Sequence, residues 1–209
     1  MTQLPNLIGL HGKPRVGKDT VAAYLIKKYN LLRYGPSVPL KDTCAAMFDV
    51  PREYFDDDNM KDTVDPFWGI TYRQMAQKVG KESSRDVFGD DIWLRHVEKK
   101  LKKIQDIKQH IDSGGHHYVA HFPDRDWSHY YGLVLADVRY ENEVHWIKEH
   151  GGVVFFILRD DAPKSSDTGH VVDRGLPLAL ADITIYNNGT IDELYAQVEN
   201  EMAFYFGWE

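Results

Sequence analysis

The sequence has 209 residues, of which 43% are hydrophobic, with a formal net charge of −7 and a single cysteine. It is long enough for one α/β domain with a generous insert. The acidic balance excludes general affinity for nucleic acid, and a mean hydropathy of −0.48, with no apolar run near the ~20 residues of a spanning helix, excludes a membrane protein. Met1-Thr2-Gln3-Leu4-Pro5 lacks the basic and apolar regions of a signal peptide, and one cysteine cannot form an internal disulfide, so a cytoplasmic location is expected.

The apolar run Leu7-Ile8-Gly9-Leu10 reads as a short buried strand. Gly12, Lys13, Pro14, Arg15, Val16 and Gly17 then form a turn-prone loop, and a helix is expected over 18–29. Strand, glycine loop, lysine and helix are the context of a phosphate-binding loop, and Gly12, Gly17 and Lys18 meet the spacing G-x-x-x-x-G-K. Glycines let backbone N–H groups turn inward on phosphate oxygens. The helix start adds free N–H groups and the positive end of its dipole. Lys18 offers a point charge to the β- and γ-phosphates. Asp19 stands where a serine or threonine usually ligates magnesium, with Thr20 next. A bare βα turn needs only the glycines, so the agreement of all four features favours nucleotide phosphate binding.

A second strand is expected over 31–34, then a short helix over 40–48 with Lys41 in its first turn. Residues 49–69 read as irregular surface structure in which Phe55, Phe67 and Trp68 are apolar anchors. Thr71 and Gln74 fit a capping box opening a helix over 71–84. On it Met75 and Val79 share one face, while Arg73, Gln77, Lys81 and Arg85 share another. Such a stripe is either a solvated surface or a recognition face, with guanidinium groups for a phosphate and an amide for a base edge. Gly80 in mid-helix costs about 1 kcal/mol against alanine, which close approach of a ligand or backbone would explain. The next helix, over 92–111, buries Leu94, Val97, Leu101, Ile104 and Ile111 and turns Lys99, Lys100, Lys102 and Lys103 to water.

Residues 113–131 read as an inserted hairpin; its histidines lack metal-site spacing. The strand Leu133-Val134-Leu135-Ala136 ends at Asp137, resembling a Walker B element whose carboxylate holds magnesium through water or orients an acceptor. Arg139 and Glu143 follow at the start of a helix over 141–150. A buried strand over 153–158 leads into a loop-like segment over 159–180 containing Arg159, Lys164 and His170, a lid candidate. A last strand over 182–186, the turn Asn187-Asn188-Gly189 and a helix over 190–204 complete the chain. Five strands separated by helices predict an α/β three-layer sandwich: one domain with a five-stranded parallel sheet, helices on both faces and a helical insert over about 38–112.

Taken together the pieces resemble the deoxynucleoside monophosphate kinases of large tailed bacteriophages, members of the P-loop nucleoside monophosphate kinase group. They are G-K-D-T at Gly17 to Thr20, Pro39-Leu40-Lys41, R-x-x-x-Q-x-x-G at Arg73, Gln77 and Gly80 with Arg85 beyond, and D-x-R-x-x-x-E at Asp137, Arg139 and Glu143. Ser166-Asp167-Thr168, His170 and Gly175-Leu176-Pro177 lie in the lid-like segment, and Asn187-Asn188-Gly189-Thr190 with Glu193-Leu194 closes the series. The resemblance implies transfer of the ATP γ-phosphoryl group, with Mg2+, to a deoxynucleoside monophosphate for phage DNA synthesis. It places Gly12, Lys13, Arg15, Val16, Gly17, Lys18, Asp19 and Thr20 on the donor phosphates, with Asn187 and Gly189 near adenine. Asp19 becomes the metal ligand, and Asp137 and Arg139 stand near the transferred group. Lys41, Trp68, Arg73, Gln77, Arg85 and Glu143 are assigned to the acceptor, and Arg159, Lys164 and His170 to the lid. A P-loop kinase with another acceptor, such as a nucleoside or coenzyme precursor, and a non-catalytic nucleotide-binding protein are the alternatives. No nucleic-acid or membrane partner is expected, and a homodimer is left open.

Overall fold

The structure is a computed structural model that describes residues 5–113, 129–162 and 175–207. The expected hairpin of the insertion, and Lys164 and His170 of the lid candidate, lie outside the described residues. The chain divides into two compact units, Met1–Tyr34 with Leu101–Glu209, and Gly35–Lys100. The second unit overlaps most of the helical insert expected over about 38–112, and the boundary between the units falls inside one helix.

The first unit is built on five parallel strands, β1 (Leu7–His11), β2 (Leu31–Arg33), β3 (Gly132–Leu135), β4 (Val153–Leu158) and β5 (Ile183–Tyr186), in the order β2-β3-β1-β4-β5. Residues alternate faces along a strand, which decides what packs where. Ile8 and Leu10 of β1, with Phe155, Ile157, Ile183 and Ile185, bury against Val21 and Leu25 of helix α1 (Lys18–Tyr29) and Leu194 and Val198 of the C-terminal helix (Ile191–Phe206). The opposite face receives the helix Glu141–Glu149, whose Ile147 comes so close to Gly9 that a Cβ there would lie 2.5 Å from Ile147 Cδ1. Glycine at position 9 is therefore a packing requirement. Helices cover both faces, as the strand count predicts.

Glu199 ties the two helices of the first face together. Its carboxylate accepts from Tyr24 (2.8 Å), Tyr29 (2.9 Å) and the Lys28 ammonium, and Tyr24 stacks on Tyr195 at 4.2 Å. Partial burial raises the Glu199 pKa, but the three donors outweigh it and leave the carboxyl below its ordinary range. A depressed carboxyl pKa contributes stability above the unfolded value of about 4.3 and loses it as pH falls through the folded value. Glu199→Gln should cost about 1–2 kcal/mol at pH 7, the exposed Lys28 contributing little of it. Thermal melting at pH 7 and pH 3.5 checks this: the gap between variant and wild type should shrink in acid, and equal midpoints at pH 7 would refute the clasp.

The second unit contains α2 (Ser37–Phe48), a 3-10 turn (Arg52–Phe55), α3 (Tyr72–Gln77), a π-helical stretch (Lys78–Arg85) and α4 (Asp86–Phe88). Its core is Cys44, Phe55, Tyr72, Met75 and Val79. Burial pushes the Cys44 thiol up to about 11. Helix α2 begins earlier than expected because Pro39, a residue tolerated in a first turn, is absorbed there; Lys41 consequently sits in the second turn. The expected capping box is present: Gln74 N–H donates to Thr71 Oγ1 (3.1 Å) and Thr71 N–H to Gln74 Oε1 (2.9 Å). Helix α5 (Ile92–Asp112) straddles the boundary; Leu94, Val97, Leu101 and Ile104 are buried as expected, but Ile111 is 38% exposed.

Candidate active site

In a parallel sheet the crevice beyond the strand C-termini, where the strand order reverses, is the usual ligand site. Here β1 leads into the glycine loop, β3 into Asp137 and Arg139, β4 into Arg159 and β5 into Asn187. The loop is held tightly. A Cβ at Gly12 would lie 2.4 Å from the Ile157 carbonyl oxygen, and one at Gly17, whose φ is +105°, would lie 2.4 Å from Asn187 Nδ2. Arg15 takes a left-handed φ of 65° despite its side chain, local strain of the kind found where a loop is shaped for a ligand. No side chain caps α1 at Gly17, so the first N–H groups of the helix face the loop unclaimed by a cap.

Lys18 Nζ donates to the carbonyls of Gly12 (2.6 Å) and Lys13 (2.9 Å), folding back across the loop. Burial lowers its pKa, which Asp137 and Asp19 oppose. Asp137 Oδ2 accepts two hydrogen bonds from Arg139, one from Nε at 2.7 Å and one from Nη2. Asp19 is exposed and pairs with Arg33 at 2.5 Å, a contact between the start of α1 and the end of β2. A cavity of about 390 Å³ opens beside the loop, lined by Arg15, Gly17, Lys18, Asp19, Thr20, Arg159, Asn187 and Gly189 among others. Arg15, Lys18 and Arg159 give the lining three cations, which suits a polyanion, with Asp19 the one carboxylate among them.

In the other unit, Arg73 at the start of α3 forms a two-pronged pair with Asp62, Nε to Oδ1 at 2.6 Å and Nη2 to Oδ2 at 3.0 Å. Gln77, one turn on, is exposed, and its side chain makes no hydrogen bond among the described residues. In a strict α-helix Arg85 would be carried about 120° round the axis from Arg73. The wider i→i+5 turn of the Lys78–Arg85 stretch advances less per residue, so it offsets this drift and returns Arg85 toward the Arg73–Gln77 face. Lys41 pairs with Asp56 at 2.5 Å. Trp68 is 43% exposed, its Nε1 donating to the Phe48 carbonyl (2.9 Å). Asp65 is buried and accepts the N–H groups of Phe67 (2.9 Å) and Trp68 (3.0 Å) and the Tyr72 hydroxyl (3.0 Å), which fixes this aromatic turn.

Comparison with known proteins decides the family. The family profile of deoxynucleotide monophosphate kinases matches residues 69–198, well over half of the chain. A relative from Acanthamoeba polyphaga mimivirus is 32% identical over 197 residues, spanning 92% of this chain and 93% of its own. The chain belongs to the deoxynucleotide monophosphate kinase family. The deoxynucleotide monophosphate kinases of Enterobacteria phage T4 and Escherichia phage RB69 are 26% and 23% identical to it, over 94% and 92% of this chain and 98% of theirs. Among solved structures, shikimate kinase from Aquifex aeolicus VF5 aligns over 95% of this chain and 96% of its own at 13% identity, with a TM-score of 0.40, too distant to bear on the site.

Four residues singled out in the sequence, Glu143, Asn187, Val16 and Gly80, have structural partners of their own. Glu143 is only 4% exposed, and its carboxylate accepts the backbone N–H groups of Arg139 (2.7 Å) and Tyr140 (3.2 Å). These bonds tie it to the turn that carries Arg139. Asn187 Nδ2 donates to the Val16 carbonyl (2.8 Å), so its amide braces the phosphate loop while its edge lines the cavity. Val16 is buried, its side chain in the sheet core, and it offers the nucleotide backbone only. Gly80 is approached by Leu40, 3.0 Å from where a Cβ would stand, and its carbonyl accepts the Trp93 indole N–H (3.1 Å), so a packing partner and no ligand explains it. Arg159 is among the described residues and pairs with Asp161 at 2.5 Å. His11, Arg33 and Asp62 carry no sequence signal because their partners are remote in sequence, whereas Asp65 makes a local turn with Phe67 and Trp68.

Arg73→Ala tests the expectation that Arg73 holds an acceptor phosphate. A two-pronged guanidinium is among the strongest phosphate ligands, and its loss should raise the KM for the monophosphate about tenfold or more while leaving the KM for ATP within about twofold. Steady-state kinetics with each substrate varied in turn measure both. Equal changes would refute that expectation.

Proposed function

We propose that the protein transfers the γ-phosphoryl group of ATP to a deoxynucleoside 5′-monophosphate, giving the diphosphate and ADP. The observation that carries this is the 12–18 phosphate cradle, followed in the same unit by the Asp137–Arg139 pair, in a chain of the deoxynucleotide monophosphate kinase family. Phosphoryl transfer asks little covalent chemistry of the protein; it needs in-line positioning and neutralisation of charge on the transferred group. Lys18 leaves the Gly12 and Lys13 carbonyls for the β- and γ-oxygens, and the α1 N–H groups hold the phosphate between them. Arg139 supplies positive charge near the transferred group, with Asp137 orienting it. Arg73, exchanging Asp62 for the ligand, grips the acceptor phosphate with Arg85, and Gln77 reads its base edge. Arg159, on the wall of the cavity, closes the donor side.

Magnesium fits the residues present. Asp19 is an exposed carboxylate on the cavity wall beside Lys18 and Thr20, and Mg2+ favours one or two carboxylates completed by water and substrate phosphates. Asp19 would hold it, directly or through water, with Thr20 alongside. When bound, the ion neutralises charge on the β- and γ-oxygens. The reading is tested by incubating the protein with ATP, Mg2+ and each deoxynucleoside monophosphate separately and following ADP. Absence of nucleoside diphosphate from every acceptor would overturn it, and the panel also reads out base choice.

A further inference from the structure

The last two residues of β1 do more than complete a strand. Leu10 accepts the N–H of Val138 at 2.9 Å, and the His11 ring donates from Nδ1 to the Val138 carbonyl at 2.8 Å. Both backbone groups of Val138 are therefore bonded to the residues immediately before the phosphate loop. Val138 stands between Asp137 and Arg139. On the far side of the ring, Nε2 accepts the N–H of Leu176 at 3.1 Å, and the ring packs on Phe156 with centroids 4.6 Å apart.

A neutral imidazole that accepts at Nε2 must carry its one proton at Nδ1, so the Leu176 bond selects the tautomer that donates to Val138. Burial lowers the His11 pKa and favours the neutral ring; the Val138 bond and Asp137 oppose this, and Lys18 reinforces it. The signal is invisible in the sequence, where His11 reads as one of ten histidines. We propose that His11 is a positioning residue for phosphoryl transfer, which keeps Asp137 and Arg139 in fixed register with the phosphate loop through a tautomer-locked bond to Val138. This rests on the kinase reading above.

Two substitutions separate the two ring bonds. In His11→Asn the amide nitrogen falls near the place of Nδ1, so the Val138 bond survives and the Leu176 bond is lost. In His11→Gln the amide reaches the place of Nε2, so the reverse holds. Displacement of reacting groups by about 1 Å costs on the order of 10²-fold in rate. His11→Gln should lower kcat about tenfold to a hundredfold with the KM for ATP changed less than about threefold, and His11→Asn should keep kcat within about fivefold of wild type. In the wild type, 15N NMR of the ring should show the Nδ1–H tautomer at pH 7.

Wild-type kcat in both variants overturns the proposal, as does loss in His11→Asn alone. Equal losses in both variants, tracking a lowered melting temperature, reduce His11 to scaffold and overturn it too. An inactive wild type would fail the kinase reading instead, and the NMR tautomer would still report whether the Val138 bond exists.

Discussion

Lys18→Met should lower kcat by about 10²–10³-fold, the scale on which loss of one preorganised charge at a transferred group is felt. The ammonium sits 2.6 Å and 2.9 Å from two carbonyls of its own loop, so it is already aimed inward before any phosphate arrives. The geometry separates a charge effect from a folding effect. The Gly12 and Lys13 carbonyls stand at a half-exposed loop that water can reach, so methionine of similar length should leave the melting temperature within a few degrees. A coupled ADP assay on purified protein, with melting run alongside, measures both. Activity within tenfold of wild type would remove Lys18 from the transfer step.

Asp19→Ala should act chiefly through the metal. At saturating ATP the half-saturating Mg2+ concentration is expected to rise about tenfold, equivalent to about 1.4 kcal/mol, with part of the lost rate recovered at high Mg2+. An unpaired carboxylate beside a triphosphate is repulsive, and Arg33 occupies that carboxylate here at 2.5 Å. Arg33→Met is the informative companion. With its guanidinium gone, Asp19 should compete more readily for the cation, and the Mg2+ titration should shift the opposite way. Direct Mn2+ binding in the presence of ADP, followed by electron paramagnetic resonance, gives a readout independent of turnover. An unchanged magnesium response in Asp19→Ala would show that Asp19 does not act through the metal.

Much of the fold was legible because its signals are local and periodic. The short, β-branched and aromatic apolar run 153–158 favours a strand covered on two sides, and Gly12, Gly17 and Lys18 mark a backbone shape that few other functions require. The capping box at Thr71 and Gln74 is written in two residues. What escaped depends on partners remote in sequence or on hydrogen-bond register. Nothing in the apolar pattern distinguishes an α-turn from the π-turn of Lys78–Arg85, since both bury Val79. Glu143 stands in the D-x-R-x-x-x-E pattern, but spacing does not show that its carboxylate turns inward to accept the backbone N–H groups of Arg139 and Tyr140. Arg33 becomes relevant to the site only when β2 brings it beside Asp19. Ile111 keeps the helical period yet lies exposed, because periodicity shows which face is apolar and not how far along the helix cover extends.

The chain's one cysteine lies fully buried in the core of the Gly35–Lys100 unit. With its thiol pushed up to about 11, very little is thiolate at neutral pH, and the thiolate is the form that reacts. A thiol reagent can therefore modify the native protein only when that unit opens. Since the sheet unit holds no thiol, labelling kinetics in dilute denaturant would report the opening free energy of the helical unit alone, against a background that needs no engineered probe. Adding the monophosphate to such a run and watching the rate fall would show directly which part of the chain that ligand stabilises.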